Sequence, residues 1–335
     1  MLVLGIESSC DETGFAVVKN GEQILSNIVA SQEDLHASLG GVMPELACRR
    51  HIDVCIPLLN KALDEASVTL DEIDLIAVTH GPGLVGALLI GVNFAKGLVL
   101  GSGKPFVGVN HIEAHLYSAL MHKQPPLPSL GVVLSGGHTS LILVKAVHEY
   151  HLIGHTQDDA VGEAFDKVAR LLGLPYPGGP YIERLAEQGD PNRFPFKAGH
   201  VKKFPYNFSF SGLKTAVLYL VKGQNAQKES SLIISEQDKK DVAASFQRCA
   251  FSDIVSKSIQ AARQYECKSL LIGGGVSQNR CLREMFEEKA FCPIFWPPKG
   301  LCLDNAAMIA GLGYHKYIKN GRDSIDLEVI TKMRF

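Results

Sequence analysis

His111 and His115 stand four residues apart in His111-Ile112-Glu113-Ala114-His115. On a helix that spacing puts two imidazoles on one face, one turn above each other. Both can then ligate one metal ion. Asp304, in Leu303-Asp304-Asn305-Ala306-Ala307, sits at an expected loop-to-helix junction and can add a carboxylate. Two neutral nitrogens and one carboxylate leave coordination positions open, a donor set that suits Fe(II), Zn or Mn. Taken alone, the pair fits two helix-surface histidines equally well, and Asp304 fits a helix N-cap. The pattern is HxExH rather than HExxH. Glu113 lies two residues from each histidine, and at about 100° per residue it points away from the face they share. A zinc-protease reading therefore lacks its general base.

A second group suits a phosphate. Ser135-Gly136-Gly137-His138 follows an apolar, strand-like run. Without β-carbons, the backbone N–H groups there can close on phosphate oxygens, although a simple hairpin turn accounts for the same residues. In Gly273-Gly274-Gly275-Val276-Ser277-Gln278-Asn279 a nucleoside can pack on bare backbone while Asn279 hydrogen-bonds to it. Pro177-Gly178-Gly179-Pro180 reads as a rigid turn before a helix carrying Glu183, which takes a ribose hydroxyl or faces solvent. Asp166 either hydrogen-bonds to a substrate or pairs with Lys167 or Arg170. Asp11 and Glu12 lie in a polar loop. Either can accept a proton from an attacking amine or orient a metal-bound water, and turn formation is their plain alternative.

These residues need a scaffold. The chain has 335 residues, 46% of them hydrophobic, and a formal net charge of −2. That is enough for one large or two ordinary domains, and it argues against a generic nucleic-acid-coating protein, though not against a local basic patch. The longest apolar stretch, residues 84–100, is interrupted by Gly86, Gly91, Asn93, Lys96 and Gly97, so no membrane span is expected. No basic segment precedes the first apolar run, so no signal peptide is expected and the protein is read as cytoplasmic. None of the eight cysteines forms a CxxC pair, so reduced thiols are expected. Cys10 is the candidate exception because of its reactive neighbours.

Strands are expected at 2–6, 15–18 and 23–29, with Asn20-Gly21 as a tight turn, and at 73–80 and 105–109. Helices are expected at 41–66, 87–100 and from His111. The pattern then restarts. Strands at 130–134, 141–144 and 150–154 precede a helix at 162–172, a strand at 269–272, a helix at 281–289, a strand at 293–296 and a helix at 304–318. Two such halves imply a duplicated α/β architecture with a cleft between lobes. The expected division is residues 1–110 with a C-terminal helix at about 305–335 in one lobe, and 111–304 in the other. The second lobe carries a Pro-broken, basic–aromatic insertion at about 190–240, helical from 214 to 222.

The motifs resemble one family along almost the whole chain: the universal tRNA threonylcarbamoyladenosine synthases, in particular the bacterial TsaD branch. The matching segments begin with Gly5-Ile6-Glu7-Ser8-Ser9-Cys10-Asp11-Glu12-Thr13, Gly40-Gly41-Val42-Met43-Pro44-Glu45-Leu46-Ala47, Gly81-Pro82-Gly83-Leu84 and the HxExH stretch. They continue through Ser135-Gly136-Gly137-His138-Thr139, Gly162-Glu163-Ala164-Phe165-Asp166-Lys167 and Tyr176-Pro177-Gly178-Gly179-Pro180. Phe208-Ser209-Phe210-Ser211-Gly212-Leu213-Lys214, Gly274-Gly275-Val276-Ser277 and Asp304-Asn305 complete the set.

The resemblance implies a two-lobed actin-like, sugar-kinase-like and Hsp70-like fold of RNase H type. It implies one Fe(II) per subunit on His111, His115 and Asp304, with Zn or Mn as alternatives. It implies that threonylcarbamoyl-AMP is held by Val133, Leu134, Ser135, Gly136, Gly137 and His138 with Asp166, Gly179, Glu183 and Asn279. The acceptor is N6 of the adenosine 3′ to the anticodon in tRNAs reading codons that begin with A. A TsaB-like paralogue and a TsaE-like ATPase are the implied partners. In this chemistry Asp11 takes the amine proton, with Glu12 as second choice. Residues 193–204 and Arg49-Arg50 become candidates for tRNA backbone contact, and the near-neutral charge predicts weak tRNA binding by this chain alone. The alternatives are an ATP-dependent kinase of the same fold and a non-catalytic scaffold subunit.

Overall fold

A computed structural model describes residues 1–37, 41–121, 123–147, 149–224 and 231–332. Gly40 of the second motif and most of the expected polar loop at 224–231 lie outside them. In chain order the elements are β1 (Leu2–Glu7), β2 (Thr13–Lys19), β3 (Gln23–Ala30), α1 (Glu33–Ala37), α2 (Pro44–Ala66), β4 (Leu75–Gly81), α3 (Val85–Ser102), β5 (Phe106–Asn110) and α4 (His111–Leu120). There follow β6 (Ser129–Leu134), β7 (Thr139–Ala146), β8 (Glu149–His155), α5 (Val161–Leu171), α6 (Gly178–Ala186), α7 (Ser211–Lys222) and α8 (Glu236–Gln264). The chain ends through β9 (Ser269–Gly273), α9 (Arg280–Lys289), β10 (Ile294–Phe295) and α10 (Ala306–Asn320).

The strands form two five-stranded sheets, ordered β3-β2-β1-β4-β5 and β8-β7-β6-β9-β10. The order is the same in both, so the expected duplication is present as topology. In each sheet the leading strand pairs antiparallel with the next strand in sequence, β2 or β7, and parallel with a later one, β4 or β9. Such mixed sheets need helical crossovers between their parallel strands. The leading strands β1 and β6 are buried on both faces, as their unbroken apolar runs require. Between β2 and β3, Asn20 and Gly21 take φ 53° and φ 79°. Positive φ at both positions is the geometry that an Asn-Gly hairpin favours.

The chain divides into two compact units, residues 1–124 with 146–150 and 297–335, and residues 125–145 with 151–296. The expected boundaries at 110 and 304 shift by a helix and a loop. The reason is packing: α4 and α10 lie against one another, and α10 covers β1, β4 and β5. Gly5 shows how closely, because a β-carbon there would stand 2.2 Å from the Ala306 carbonyl oxygen. His111, His115 and Asp304 therefore belong to the first unit, not the second. Its core includes Leu4, Ile6, Phe15, Val54, Leu58, Ile76 and Val92. The second core is built from Val132, Leu134, Phe165, Phe208, Phe246, Phe251, Ile254 and Phe286.

Helix α8 carries no expectation from the sequence. Its 29 residues include the consecutive buried run Val242-Ala243-Ala244-Ser245-Phe246-Gln247. A helix buried all round that run shows little 3.6-residue alternation. Its one local sign is a Ser235–Asp238 capping box. Helix α7 forms where the insertion was expected to be helical. Among the described residues only α3 is long and apolar enough to cross a membrane. Its inner face packs closely, since a β-carbon at Gly91 would meet Ser8 Oγ at 2.1 Å.

Candidate metal centre and phosphate cradle

In the first unit three strands deliver the site. β1, β4 and β5 are parallel and adjacent, with Ile6 opposite Val78 and Thr79 opposite Val109. Their C-terminal ends therefore line up, placing Glu7, Thr79 and Asn110 together at one edge. Asn110 caps α4, its Oδ1 accepting from the Ile112 and Glu113 amides at 2.8 and 3.3 Å. That cap starts the helix at His111, so both histidines fall in its first turns.

The imidazoles of His111 and His115 are 4.5 Å apart by ring centroid. Their Nε2 atoms lie 3.6 and 3.1 Å from Asp304 Oδ1. One donor atom from each of the three residues falls within 4.8 Å of the other two. Asn305, not Asp304, caps α10, its Oδ1 accepting from the Met308 amide at 3.1 Å. His115 is fully buried, and neither ring nitrogen makes an aligned hydrogen bond. A buried nitrogen 3.1 Å from a carboxylate oxygen, yet not aimed at it, suits two donors directed at a common third point. The residues thus fit a divalent metal.

Glu7 supports this arrangement from behind. Its Oε2 stands 3.1 Å from His111 Nδ1 and accepts from the Thr79 hydroxyl at 2.6 Å, and its Oε1 accepts from the Ser9 amide at 2.6 Å. With Nδ1–H donated to Glu7, the Nε2 lone pair of His111 faces Asp304, the orientation a metal ligand needs. Burial opposes charge on Glu7, but the adjacent His111 outweighs it and holds the carboxyl below its usual range. Burial likewise opposes charge on His111, yet Asp304 and Glu7 raise it to about 9. The site favours a cation at this point, a proton or a metal in its place. Glu7→Gln is expected to weaken metal binding by about 10- to 100-fold, measured by metal titration of the stripped protein, with the melting temperature showing that the fold is kept.

Asp11 and Glu12 lie in the loop between β1 and β2. Burial, then the charges of Asp304 and Asp11, push the Glu12 carboxyl well above its usual range. The same causes, burial and then Asp11 and Asp304, push the Cys10 thiol well up. A raised thiol pKa lowers the share of thiolate, the nucleophilic form, and all eight cysteines are free.

The loop is pinned from α2 and α3. His51 Nε2 meets the Cys10 carbonyl at 2.9 Å, and the Thr13 hydroxyl donates to His51 Nδ1 at 2.7 Å. Leu84 N–H donates to the Ser9 carbonyl at 2.8 Å, and the Ser8 hydroxyl donates to the Ala87 carbonyl at 3.0 Å. Glu7, Thr79 and His51 were not anticipated. Glu7 had a signal, being an acid directly after an apolar strand.

In the second unit β6 runs into Ser135, whose N–H donates to the His138 carbonyl at 2.8 Å, while His138 N–H donates to Ser135 Oγ at 3.1 Å. This tight turn leaves Gly136 and Gly137 exposed, and a β-carbon on either would meet no atom within 4 Å. The protein itself leaves room for an oxyanion there. The Gly162 and Glu163 amides, at the start of α5, donate to the Ser135 and Gly136 carbonyls at 3.3 and 3.2 Å. Val133 and Leu134 are wholly buried and shape the cradle through backbone alone. The Gly273-Gly274-Gly275 turn closes on the same edge. Gly274 has φ 88°, and a β-carbon there would stand 2.3 Å from the Leu134 carbonyl oxygen.

Asp166 Oδ1 accepts from the Gly178 amide at 2.7 Å and so fixes the turn that leads to Gly179. Glu183 Oε1 accepts from the Arg280 amide at 2.7 Å. Asn279 caps α9 through Leu282 N–H at 3.2 Å, and its Nδ2 donates to Gln247 Oε1 at 3.0 Å. Glu183 and Asn279 are thereby joined across the N-terminus of α9. Beside them lies a hollow of about 710 Å³, lined in part by Glu183, Gln247, Arg248, Arg280 and Cys281. That is large enough for a nucleoside.

Glu113 faces elsewhere. Burial raises it to about 7, Lys316 is the charge it senses, and it is not in the metal group.

Comparison with known proteins agrees with this geometry. The TsaD family, described as tRNA N6-adenosine threonylcarbamoyltransferase, matches residues 23–311. A protein of that name from Protochlamydia amoebophila (strain UWE25) is 61% identical over 336 residues, covering 99% of this chain and 98% of its own. One from Chlamydia trachomatis serovar L2b is 50% identical, covering 100% and 98%. Three solved structures share the fold alone. These are component A of the (R)-2-hydroxyglutaryl-CoA dehydratase of Acidaminococcus fermentans (TM-score 0.54, 16% identity, 95% of this chain and 98% of that one), full-length HypF (0.62, 14%, 96% and 56%) and the ROK hexokinase of Thermus thermophilus (0.52, 14%, 95% and 99%). With the two same-order sheets, these likenesses make the architecture that of the actin-like ATPases and sugar kinases, and by sequence the chain belongs to the TsaD family of tRNA N6-adenosine threonylcarbamoyltransferases.

Proposed function

We propose that this chain transfers the L-threonylcarbamoyl group from threonylcarbamoyl-AMP to N6 of the adenosine 3′ to the anticodon in tRNAs reading codons that begin with A. The observation that carries the reading is the convergence of His111, His115 and Asp304, backed by Glu7, in a member of this family. Fe(II) is the metal these residues would hold, and bound there it would supply Lewis-acid charge neutralisation.

The N6 amine attacks the carbamoyl carbonyl carbon, the bond from that carbon to the phosphate oxygen breaks, and AMP leaves with the electron pair. The amine loses one proton. Asp11 is the acceptor in this reading, with Glu12 as second choice. N6 is a weak nucleophile, its lone pair delocalised into the ring, so phosphate departure needs strong stabilisation. The Gly136 and Gly137 amides hydrogen-bond the phosphate, worth about 3 kcal/mol per well-aimed donor. Asp166, Gly179, Glu183 and Asn279 are the residues that take the nucleoside in this reading. The target base leaves its stack to react.

A TsaB-like paralogue and a TsaE-like ATPase are the partners in this reading. Ile52 and Ile56 of α2 and Val85 and Leu89 of α3 are exposed on neighbouring helices, an apolar face that supports a protein partner. The reaction is cytoplasmic and needs no membrane.

The test is reconstitution with threonylcarbamoyl-adenylate, unmodified tRNA and partner proteins, followed by nucleoside mass analysis. A threonylcarbamoyl mass gain on adenosine is expected. None, with partners shown competent alongside another family member, would falsify the assignment.

A further inference from the structure

Residues 191–210 hold four Lys or Arg and no Asp or Glu, in a chain of net charge −2. The segment is built rather than loose. Phe194 and Phe196 pack on the core of the second unit, while Arg193, Pro195 and Lys197 alternate with them and are exposed. Phe194 N–H donates to Ser245 Oγ at 3.2 Å. A β-carbon at Gly199 would meet Ser209 Oγ at 2.7 Å, and Tyr206, Phe208 and Phe210 are buried. With both ends anchored, the backbone alternation turns the cations outward.

Several lysines of the same unit are paired, while those of this segment cluster without ion-pair partners among the described residues. Lys167, Lys214, Lys239 and Lys257 of the same unit all pair with Asp or Glu. Arg193 is felt by Asp238 and His200 by Asp253. Lys197, Lys202 and Lys203 are exposed and have no carboxylate within ion-pair distance among the described residues. Next to them the Phe204 ring is 56% exposed, although a packed position would remove it from water. Unpaired cations beside an exposed aromatic ring match the two faces of an unpaired RNA stretch, its phosphates and its bases.

We propose that this segment is a tRNA-gripping surface. Lys197, Lys202 and Lys203 neutralise backbone phosphates, and Phe204 stacks on an unpaired base. The proposal rests on the reading that tRNA is the acceptor.

The experiment uses the full chain with its partners and compares wild type with the combined Lys197→Glu, Lys202→Glu, Lys203→Glu variant and with Phe204→Ala. It measures tRNA affinity across a salt series, threonylcarbamoyl-adenylate affinity and the tRNA KM. The charge variant is expected to bind tRNA at least about 10-fold more weakly and to lower the log–log salt slope by roughly 2 to 3, one increment per lost phosphate contact. Phe204→Ala is expected to cost roughly 5- to 100-fold with little change in slope. Adenylate affinity and melting temperature should stay as in wild type, because all four side chains are exposed.

Wild-type modification of tRNA with unchanged affinity and slope in the variants overturns the surface alone. Intact tRNA binding with a lost protein partner overturns it in favour of an acidic protein. A wild type that never modifies tRNA removes the parent reading as well.

Discussion

His115→Ala is expected to abolish metal loading and to lower threonylcarbamoyl transfer on the order of 10³-fold. The side chain is fully buried with both ring nitrogens lacking an aligned partner. A buried polar ring in that position costs stability unless something binds it. Truncation removes two nitrogens without aligned hydrogen bonds and leaves a void, so melting of the apo variant against wild type shows whether the fold is kept. The loss should appear in metal content measured by emission spectrometry and in nucleoside mass analysis together. The same variant separates the rivals. A kinase of this fold binds its metal through carboxylates and water, so its ATP turnover should survive His115→Ala. A scaffold subunit would show no turnover in wild type either. Loss of transfer with full retention of metal would sink the metal-centre reading.

Gly162→Val is expected to damage the phosphate cradle without touching the metal group. A β-carbon at position 162 would stand 2.7 Å from the Ser135 carbonyl oxygen, 2.8 Å from Gly136 Cα and 3.0 Å from Gly136 N. All three are backbone atoms, so no side-chain rotation relieves the clash. Either α5 backs away or the 135–137 turn moves, and both break the Gly162 and Glu163 donations to that turn. Overpacking of this kind costs about 1–3 kcal/mol. If most of it falls on the cradle, adenylate affinity drops roughly 5- to 150-fold. Calorimetric titration with AMP or the adenylate checks this, with metal content as the control that should not change. Wild-type nucleotide affinity would show that phosphate is bound elsewhere.

Much of the scaffold was legible because the signals are local. The Asn20-Gly21 turn, the doubly buried apolar runs of β1 and β6, and the glycine turns after β6 and β9 each follow from a few adjacent residues. The his-tidine pair was legible for the same reason, since helical period alone puts positions 111 and 115 on one face. Helix α8 was not, because a helix buried round most of its middle loses the alternation that marks a helix. The lobe boundary was misplaced because nothing local to residue 110 reveals that α4 packs on α10.

Sequence by itself determined which residues have the chemistry to ligate a metal or to cradle a phosphate, through residue type and short-range spacing. Tertiary structure decided which of them stand together. Glu7 meets Thr79 and His111 only because three parallel strands end at one edge, and Asp304 reaches the histidines only because α10 lies across that sheet. Contacts between residues roughly 70 to 200 apart depend on strand order and helix packing, which are properties of the whole chain's buried surface and leave no trace in any short window of residues.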